Sequence, residues 1–201
     1  MLGRIILGLF IGSIGVAQAA VSPYISASGG VAVVPHLKEQ IDGVKTGTYE
    51  LDTGSCGEVA AGIAITPVRI EAAFMRQSNE AATFKPVGSS RVDASGTVTM
   101  KSQMLNGYLD LATDEWFTHG AFIPYFMAGI GNSSVKINNN SESAVAYQFG
   151  FGAQYLITEN AIVDLGYKFF TTSYKSQASS HTYKIDDIEA HIVQLGLRYQ
   201  F

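Results

Sequence analysis

The chain ends with HIVQLGLRYQF, residues 191–201, and this stretch decides the fold class. Apolar side chains stand at every second position: Val193, Leu195, Leu197, Tyr199 and Phe201. A period of two residues places alternate side chains on opposite faces of a β-strand. In a soluble sheet the apolar face would point into a core, whereas in a membrane barrel it would point outward to lipid.

Residues 1–19 predict a secretory signal peptide. Arg4 supplies a positive charge, residues 5–16 form an apolar run, and Ala17-Gln18-Ala19 provides the small residues of a cleavage site. The apolar run is shorter than the ~20 residues that a membrane-spanning helix needs. We therefore expect export from the cytoplasm, cleavage after Ala19 and one mature domain, residues 20–201.

Composition and charge argue against several classes of function. The chain has 13 Lys and Arg against 17 Asp and Glu, a formal net charge of −4. It therefore lacks the basic stripe of a nucleic-acid-binding protein, and no nucleic-acid partner is expected. The single cysteine, Cys56, cannot form an internal disulfide and is expected to be a small strand residue. No cofactor is expected.

The same alternation recurs through the mature sequence and predicts eight strands. They cover residues 24–34, 55–65, 68–77, 98–111, 122–132, 144–156, 161–171 and 187–201. Most are close to the 9 to 11 residues that a tilted strand needs to cross the hydrocarbon layer. The fourth is the least regular, because Met100 and Met104 share the polar face with Asn106 and Asp110.

The sixth and seventh predicted strands indicate which face meets lipid. The apolar positions are Val145, Tyr147, Phe149, Phe151 and Tyr155 in the sixth strand, and Val163, Leu165, Tyr167 and Phe169 in the seventh. Asp164 and Lys168 stand between the latter, on the opposite face. Because charges oppose the apolar stripe, the sequence predicts an all-β fold, an eight-stranded antiparallel up-and-down transmembrane β-barrel with its charges inside.

Connections alternate in length, as in bacterial outer-membrane barrels. Residues 66–67 and 158–160 are tight turns, whereas residues 35–54, 78–97, 133–143 and 172–186 are long and polar and predict loops outside the cell. Within them, residues 138–143 and 175–181 are low in apolar content and predict mobile surface tips. Aromatic residues favour the water-lipid boundary. Those expected at the short-turn rim are Tyr24, Trp116, Phe117, Phe122, Tyr155, Tyr199 and Phe201.

Three stretches carry a resemblance to a known family: PYFMAGIGNSS (124–134), AYQFGFGAQYLITENAIVDLGYKFF (146–170) and HIVQLGLRYQF (191–201). They resemble the eight-stranded, outer membrane protein A-like barrels, and among these the opacity-protein-like surface antigens often labelled porin family proteins. The resemblance implies a place in the outer membrane of a Gram-negative bacterium, surrounded by its lipid. It also implies that Tyr199 and Phe201 belong to a C-terminal signal for the barrel assembly machinery, and that host surface molecules are candidate partners of the long loops.

Seven charged residues fall on the lumen-facing positions: Glu58, Arg69, Glu71, Asp110, Asp164, Lys168 and Arg198. Most lie near the short-turn ends of their strands, which predicts a lumen ion-pair cluster of Arg69, Glu71, Asp110, Asp164, Lys168 and Arg198. The favoured interpretation is packing, because a buried charge without a partner is costly. The alternative is a gate or plug. Either predicts little open channel, since eight strands enclose a space that side chains just fill.

Glycine-rich stretches and histidines offer weaker hypotheses. GIG (129–131) and FGFG (149–152) open no helix and lead to no Lys-Ser/Thr pair, so they indicate room for bulky lumen neighbours rather than a phosphate loop. The predicted topology divides His36, His119, His181 and His191 between the two rims, so no metal site is expected.

His181 with Ser179, Ser180 and Asp186 could form a hydrolytic group, but such residues are common in loops. No catalytic residue is therefore predicted. The leading hypothesis is a non-enzymatic outer-membrane surface protein, structural and possibly adhesive or antigenic through its long loops. The alternatives are a small diffusion pore and a lipid-modifying enzyme.

Overall fold

A computed structural model describes residues 21–35, 37–41, 44–88, 90, 92–93, 96–111, 122–137, 140–178 and 181–201. Over these residues the chain forms eleven strands: β1 (Ser22–Val33), β2 (Leu37–Ile41), β3 (Val44–Leu51), β4 (Gly54–Ile65), β5 (Val68–Pro86), β6 (Val92–Asp93), β7 (Thr97–Asp110), β8 (Phe122–Ile137), β9 (Asn140–Leu156), β10 (Ala161–Ala178) and β11 (His181–Gln200). The predicted signal peptide, residues 1–19, lies outside them. A search of the described residues finds no helix with the length and apolar character needed to span a membrane.

Eight of the strands close into a barrel in the order β1, β4, β5, β7, β8, β9, β10, β11. Every neighbouring pair is antiparallel, and β1 closes the ring by pairing with β11, where Tyr24 stands opposite Gln200 and Val33 opposite His191. Closure leaves no unpaired sheet edge within the barrel. The predicted fold class, an eight-stranded antiparallel up-and-down barrel, is confirmed.

The strands at one end of the barrel are longer than the sequence predicted. Residues 133–143 and 172–186 were expected to be loops, but β8 continues to Ile137, β9 begins at Asn140, β10 continues to Ala178 and β11 begins at His181. The prediction was wrong because Ser, Thr and Asn carry no two-residue apolar period there. Inter-strand backbone hydrogen bonds extend the sheet without requiring such a pattern.

A hairpin of β2 and β3 lies within residues 35–54, which were also expected to be a loop. β2 pairs with the outer part of β11, with Glu39 opposite Ile185, and β3 pairs with the outer part of β5, with Tyr49 opposite Phe84. The Tyr49 and Phe84 rings lie 4.5 Å apart. Because β1 and β4 end below this level, the hairpin takes their place and continues the wall.

The outer face of the barrel is apolar, as the alternation predicted. Large side chains are exposed along it, including Leu197 at 62% and Phe151 at 55%, while the intervening positions are buried in the lumen. At the short-turn rim, Phe122, Tyr155, Tyr199 and Phe201 are exposed, as expected of an aromatic girdle. Trp116 and Phe117 lie outside the described residues.

Tyr24 corrects one prediction. It was expected in the girdle, but it is buried in the lumen, where its hydroxyl donates to Glu71 at 3.1 Å. The neighbouring exposed residue on β1 is Ile25. Tyr24 therefore belongs to the polar network inside the barrel, because the alternation of β1 turns its side chain inward and Glu71 accepts the hydrogen bond from its hydroxyl.

If the exposed side chains of β9 face lipid, a charged residue introduced among them should destabilise the folded protein. Phe151 lies near the middle of the exposed stripe of β9, between Tyr155 and Tyr147. We expect Phe151→Arg to lower the free energy of unfolding in lipid vesicles by about 2 to 4 kcal/mol, because a midplane Arg would face hydrocarbon. Urea titration followed by tryptophan fluorescence measures this.

Phe151→Leu is the matched control for that change. It also removes the ring contact with Tyr167, whose centroid lies 5.2 Å away, but keeps an apolar side chain. Equal stability of the Arg and Leu variants would show that residue 151 does not face lipid.

Candidate functional site in the barrel interior

One ion pair of the lumen joins β5 to β7. Arg69 donates from Nε to both carboxylate oxygens of Asp110, at 3.1 and 2.9 Å, and from Nη2 at 2.8 Å. Its guanidinium also lies 4.2 Å from the centroid of the Tyr108 ring and 5.3 Å from that of Tyr125. The forked hydrogen bonds and stacked rings fix this charge in one orientation.

A relay of hydrogen bonds extends this pair across the lumen. Gln154 on β9 donates to Asp110 at 2.7 Å, and its carbonyl oxygen accepts from Arg198 on β11. The Arg198 guanidinium stacks 5.2 Å from the centroid of Tyr24. Arg198 therefore joins the predicted cluster through a neutral glutamine rather than through a direct salt bridge.

Glu71 is held by neutral donors. Tyr24 on β1 donates to Oε2, while Tyr108 and Asn106 on β7 donate to Oε1 at 2.9 and 3.2 Å. Gln148 on β9 then donates to Asn106 at 2.6 Å. The sequence placed Glu71 in an ion-pair cluster, and the structure surrounds it with hydroxyl and amide groups that disperse its charge.

Asp164 likewise accepts a hydrogen bond from a tyrosine, Tyr125 on β8, at 2.9 Å. The Tyr125 ring lies over the backbone of β9 and β10. A Cβ added to Gly152 would come within 2.5 Å of its hydroxyl oxygen, and one added to Gly166 within 2.6 Å. The prediction that the glycines of FGFG (149–152) leave room for bulky lumen neighbours is confirmed at Gly152, and Gly166 plays the same part outside the predicted stretches.

Lys168 forms a separate ion pair nearer the middle of the barrel. Its Nζ lies 2.7 Å from Oε1 of Glu58 on β4, and Lys168 is only 1% exposed. Gln194 also donates to the same oxygen at 3.5 Å. Thus the predicted cluster divides into the Arg69 network near the short-turn end and the Lys168–Glu58 pair above it.

Apolar side chains fill the lumen beside and above the Lys168–Glu58 pair, an arrangement that sequence reasoning missed. Six fully buried residues define this apolar plug: Met75, Met100, Val135, Phe170, Ile188 and Ile192. The irregular face of the fourth predicted strand contained the signal, because Met100 and Met104 shared the lumen parity. When the barrel closes, these methionines meet apolar side chains from the facing strands and form a small hydrophobic core.

Over the described residues, side chains fill the interior and leave no open channel. Its lower half is a network of hydrogen-bonded charges around a small cavity lined by Glu58, Lys168 and Arg198, and its upper half combines the apolar plug with the buried polar side chains of Gln77, Asn79 and Ser102. An ion entering it would have to displace paired charges and lose its hydration against apolar side chains. This arrangement ties facing strands together.

The histidines and the hydrolytic group singled out in the sequence lie partly outside the described residues. Over the described residues, no group of three or more His, Cys, Asp or Glu side chains has metal-binding geometry. His191 faces outward, and its Nδ1 lies 2.7 Å from the hydroxyl of Tyr167. His36, His119 and both serines of the suggested hydrolytic group, Ser179 and Ser180, lie outside the described residues, whereas the backbone of His181 and Asp186 belongs to β11.

The two residues of the predicted assembly signal lie near and just beyond the end of β11. Tyr199 and Phe201 are exposed on the outer face with ring centroids 5.1 Å apart. The Phe201 amide donates to the carbonyl of Pro23 on β1 at 2.9 Å. Their role in assembly stays a prediction.

The Lys168–Glu58 pair predicts strong coupling between two mutations. Lys168→Met should lower the free energy of unfolding by about 3 to 5 kcal/mol, because it leaves the buried Glu58 charge without its partner. The double variant Glu58→Gln/Lys168→Met should recover much of this loss. Urea unfolding of the four members of the mutant cycle measures the coupling, and simple additivity of the two single changes would contradict it.

The sealed lumen predicts an electrically silent protein. Purified protein reconstituted in planar bilayers should give no steady conductance, because the apolar plug offers no hydrated path. The double variant Phe170→Ala/Ile192→Ala, which removes two plug side chains, should give transient openings. A steady ohmic current from the unaltered protein would show that the lumen is open.

Comparisons with known proteins agree with this architecture. Residues 5–201 match the family described as outer membrane protein beta-barrel domain. Outer membrane protein PagN of Salmonella typhimurium is 30% identical over 104 residues, which are 45% of this chain and 41% of that protein's length.

Two solved structures also align with most of the chain. Neisserial surface protein A is 18% identical, with a TM-score of 0.58 over 90% of this chain and 99% of that one. Ail, the attachment invasion locus protein of Yersinia pestis, solved with the heparin analogue sucrose octasulfate, is 17% identical with a TM-score of 0.47, over 89% and 99% of the two chains. From the family match, which covers nearly the whole sequence, we conclude that this chain belongs to the outer membrane protein beta-barrel domain family.

Proposed function

We propose that this outer-membrane barrel is a non-enzymatic surface protein that attaches the bacterium to host surface molecules through the outer extension of its wall. We call the outer ends of β5, β10 and β11, together with β2 and β3, the outer extension, and its paired structure is the observation that carries the proposal. β10 continues seven residues beyond its predicted span, from Thr172 to Ala178, and pairs there with β11. At about 3.3 Å per residue, this adds roughly 23 Å of sheet along the strand.

The β2–β3 hairpin supports the same conclusion. It joins β11 to β5 above the ends of β1 and β4, so the extension is a paired wall rather than a set of separate loops. Paired strands present side chains at fixed spacing and lose less conformational entropy on binding than flexible loops would. Such a surface suits protein recognition.

The sealed interior supports attachment over transport. In the described part of the lumen, the charged side chains are held by hydrogen bonds or ion pairs, and the apolar plug lies beside and above the Lys168–Glu58 pair. No hydrated path or solvent-facing catalytic group is formed by these residues. The surface available to a partner outside the cell is then the outer extension.

The extension predicts an adherence phenotype. A non-adherent laboratory bacterium expressing the protein should bind cultured epithelial cells, and replacement of residues 174–186 by Asn-Gly should return binding to the level of the empty vector. This change removes the outer ends of β10 and β11 and leaves the lipid-facing barrel intact. Adherent bacteria per host cell are counted.

Two controls show whether each variant is folded and whether the effect depends on where the barrel is changed. Mobility of unboiled and boiled outer-membrane extracts on gels should show that each variant is folded. Glu159→Gln, an exposed change at the opposite rim, should leave adherence unchanged. A folded, surface-exposed full-length protein that adheres no better than the vector would refute the proposal, as would undiminished adherence of the shortened variant.

A further inference from the structure

Three exposed bases lie together on the outer faces of β5, β7 and β8: Arg76, Lys101 and Lys136. We call them the basic patch. Arg76 stands directly opposite Lys101 in the β5–β7 register, and Lys136 is the diagonal neighbour of Lys101 across β7 and β8. Like charges directly opposite one another on a sheet face are destabilising. Their clustering therefore points to an anion supplied from outside the chain.

The described residues of the chain do not supply that anion. Among them, none of the three bases makes a hydrogen bond or salt bridge. The next acid on the outer face of β5 is Glu80, four residues beyond Arg76 and roughly 13 Å away along the strand. Glu142 stands opposite the buried Val135 and so lies on the inner face.

The height of the basic patch matches a lipid headgroup. Arg76 lies eight residues beyond Val68, where β5 leaves its tight turn. This is roughly 26 Å along the strand. A strand tilt of about 40° reduces it to about 20 Å of height, within an apolar band about 25 Å tall. Arg and Lys extend their charged ends toward the water-lipid boundary from such positions.

Two amide side chains lie directly below the bases. Gln103 and Asn132 stand opposite each other on β7 and β8, both exposed, in the row between Lys101 and the apolar Leu105. A lipid-facing amide has no hydrogen-bond partner in hydrocarbon tails. Both amides can donate to and accept from the carbonyl groups that link acyl chains to a lipid headgroup.

A shallow apolar depression continues below the amides. Ala61 and Ala72 stand opposite each other on β4 and β5, and their small side chains lie between the larger Phe74, Val59 and Leu105. Gln103 lines the upper end of the same depression. Its walls are thus suited to one hydrocarbon chain running down from the amides.

From these three layers we propose that the outer face of β4, β5, β7 and β8 binds one molecule of the phosphorylated, acylated glycolipid of the outer leaflet, lipid A. The basic patch contacts the phosphates, Gln103 and Asn132 contact the acyl linkages, and the Ala61–Ala72 depression holds an acyl chain. The vertical order of these groups on the protein is the order in which they occur in the lipid. A soluble polyanion would match the basic patch alone.

Native mass spectrometry of the full folded protein in detergent, titrated with bisphosphorylated lipid A, tests the proposal. The double variant Arg76→Gln/Lys101→Gln should bind about thirtyfold more weakly, since each surface base contributes about a fivefold attraction to anionic lipid. The unaltered protein should lose affinity to a similar extent for lipid A treated with phosphatase. Lys85→Gln, which removes another exposed base of β5 nine residues beyond Arg76, should bind as the unaltered protein does.

A second pair of changes tests whether the ligand is a lipid. Ala61→Leu/Ala72→Leu fills the depression and keeps the face apolar, so folding should persist, as gel mobility before and after boiling would show, while lipid A affinity falls. Equal binding of lipid A by the Gln variant, or equal binding of the dephosphorylated lipid, would overturn the proposal. The proposal would also be overturned if a sulfated oligosaccharide displaced lipid A and the Ala61→Leu/Ala72→Leu variant bound lipid A as tightly as the unaltered protein. Because these measurements use no host cell, their outcome is independent of the adherence test.

Discussion

The structure depends on one constraint: every backbone N–H and C=O group inside hydrocarbon needs a partner within the protein. Antiparallel strands satisfy it only when the sheet closes, and here closure is achieved by the β1–β11 pairing, from Tyr24 opposite Gln200 to Val33 opposite His191. Closure then determines which face of the sheet contacts lipid and which face lines the lumen. The stripe of apolar side chains that would form a core in water becomes the lipid contact, and the remaining face is enclosed.

Enclosure by only eight strands determines what the interior can be. The space is narrow enough that side chains fill it, so each buried charge must meet a partner and each bulky ring needs a facing glycine. Lys168 with Glu58, Arg69 with Asp110, and Tyr125 over Gly152 are three solutions to this requirement. The apolar plug is the fourth, because its side chains fill lumen space that the described charges leave open.

A rigid, sealed barrel leaves two surfaces for interaction. One is the wall that β2, β3, β5, β10 and β11 build beyond the membrane, and the other is the lipid-facing band with its basic patch. The two proposals place different partners on these surfaces, a host molecule on the wall and a phosphorylated glycolipid on the band. They are compatible, because a lipid anchored at Arg76 and Lys101 lies below the extension.

The sequence by itself determined the eight barrel strands, their antiparallel arrangement and the inward position of the seven predicted lumen charges, because a two-residue period is a local property that assigns each side chain to one face of its strand. Only the tertiary structure decided the partners: Glu71 with tyrosines rather than arginine, Tyr24 inside rather than in the girdle, and the apolar plug around Met100. Likewise, the outer strands follow no apolar period, so their length is set by hydrogen bonding between neighbours. Such contacts join residues far apart in the chain, and barrel closure and shear bring them together.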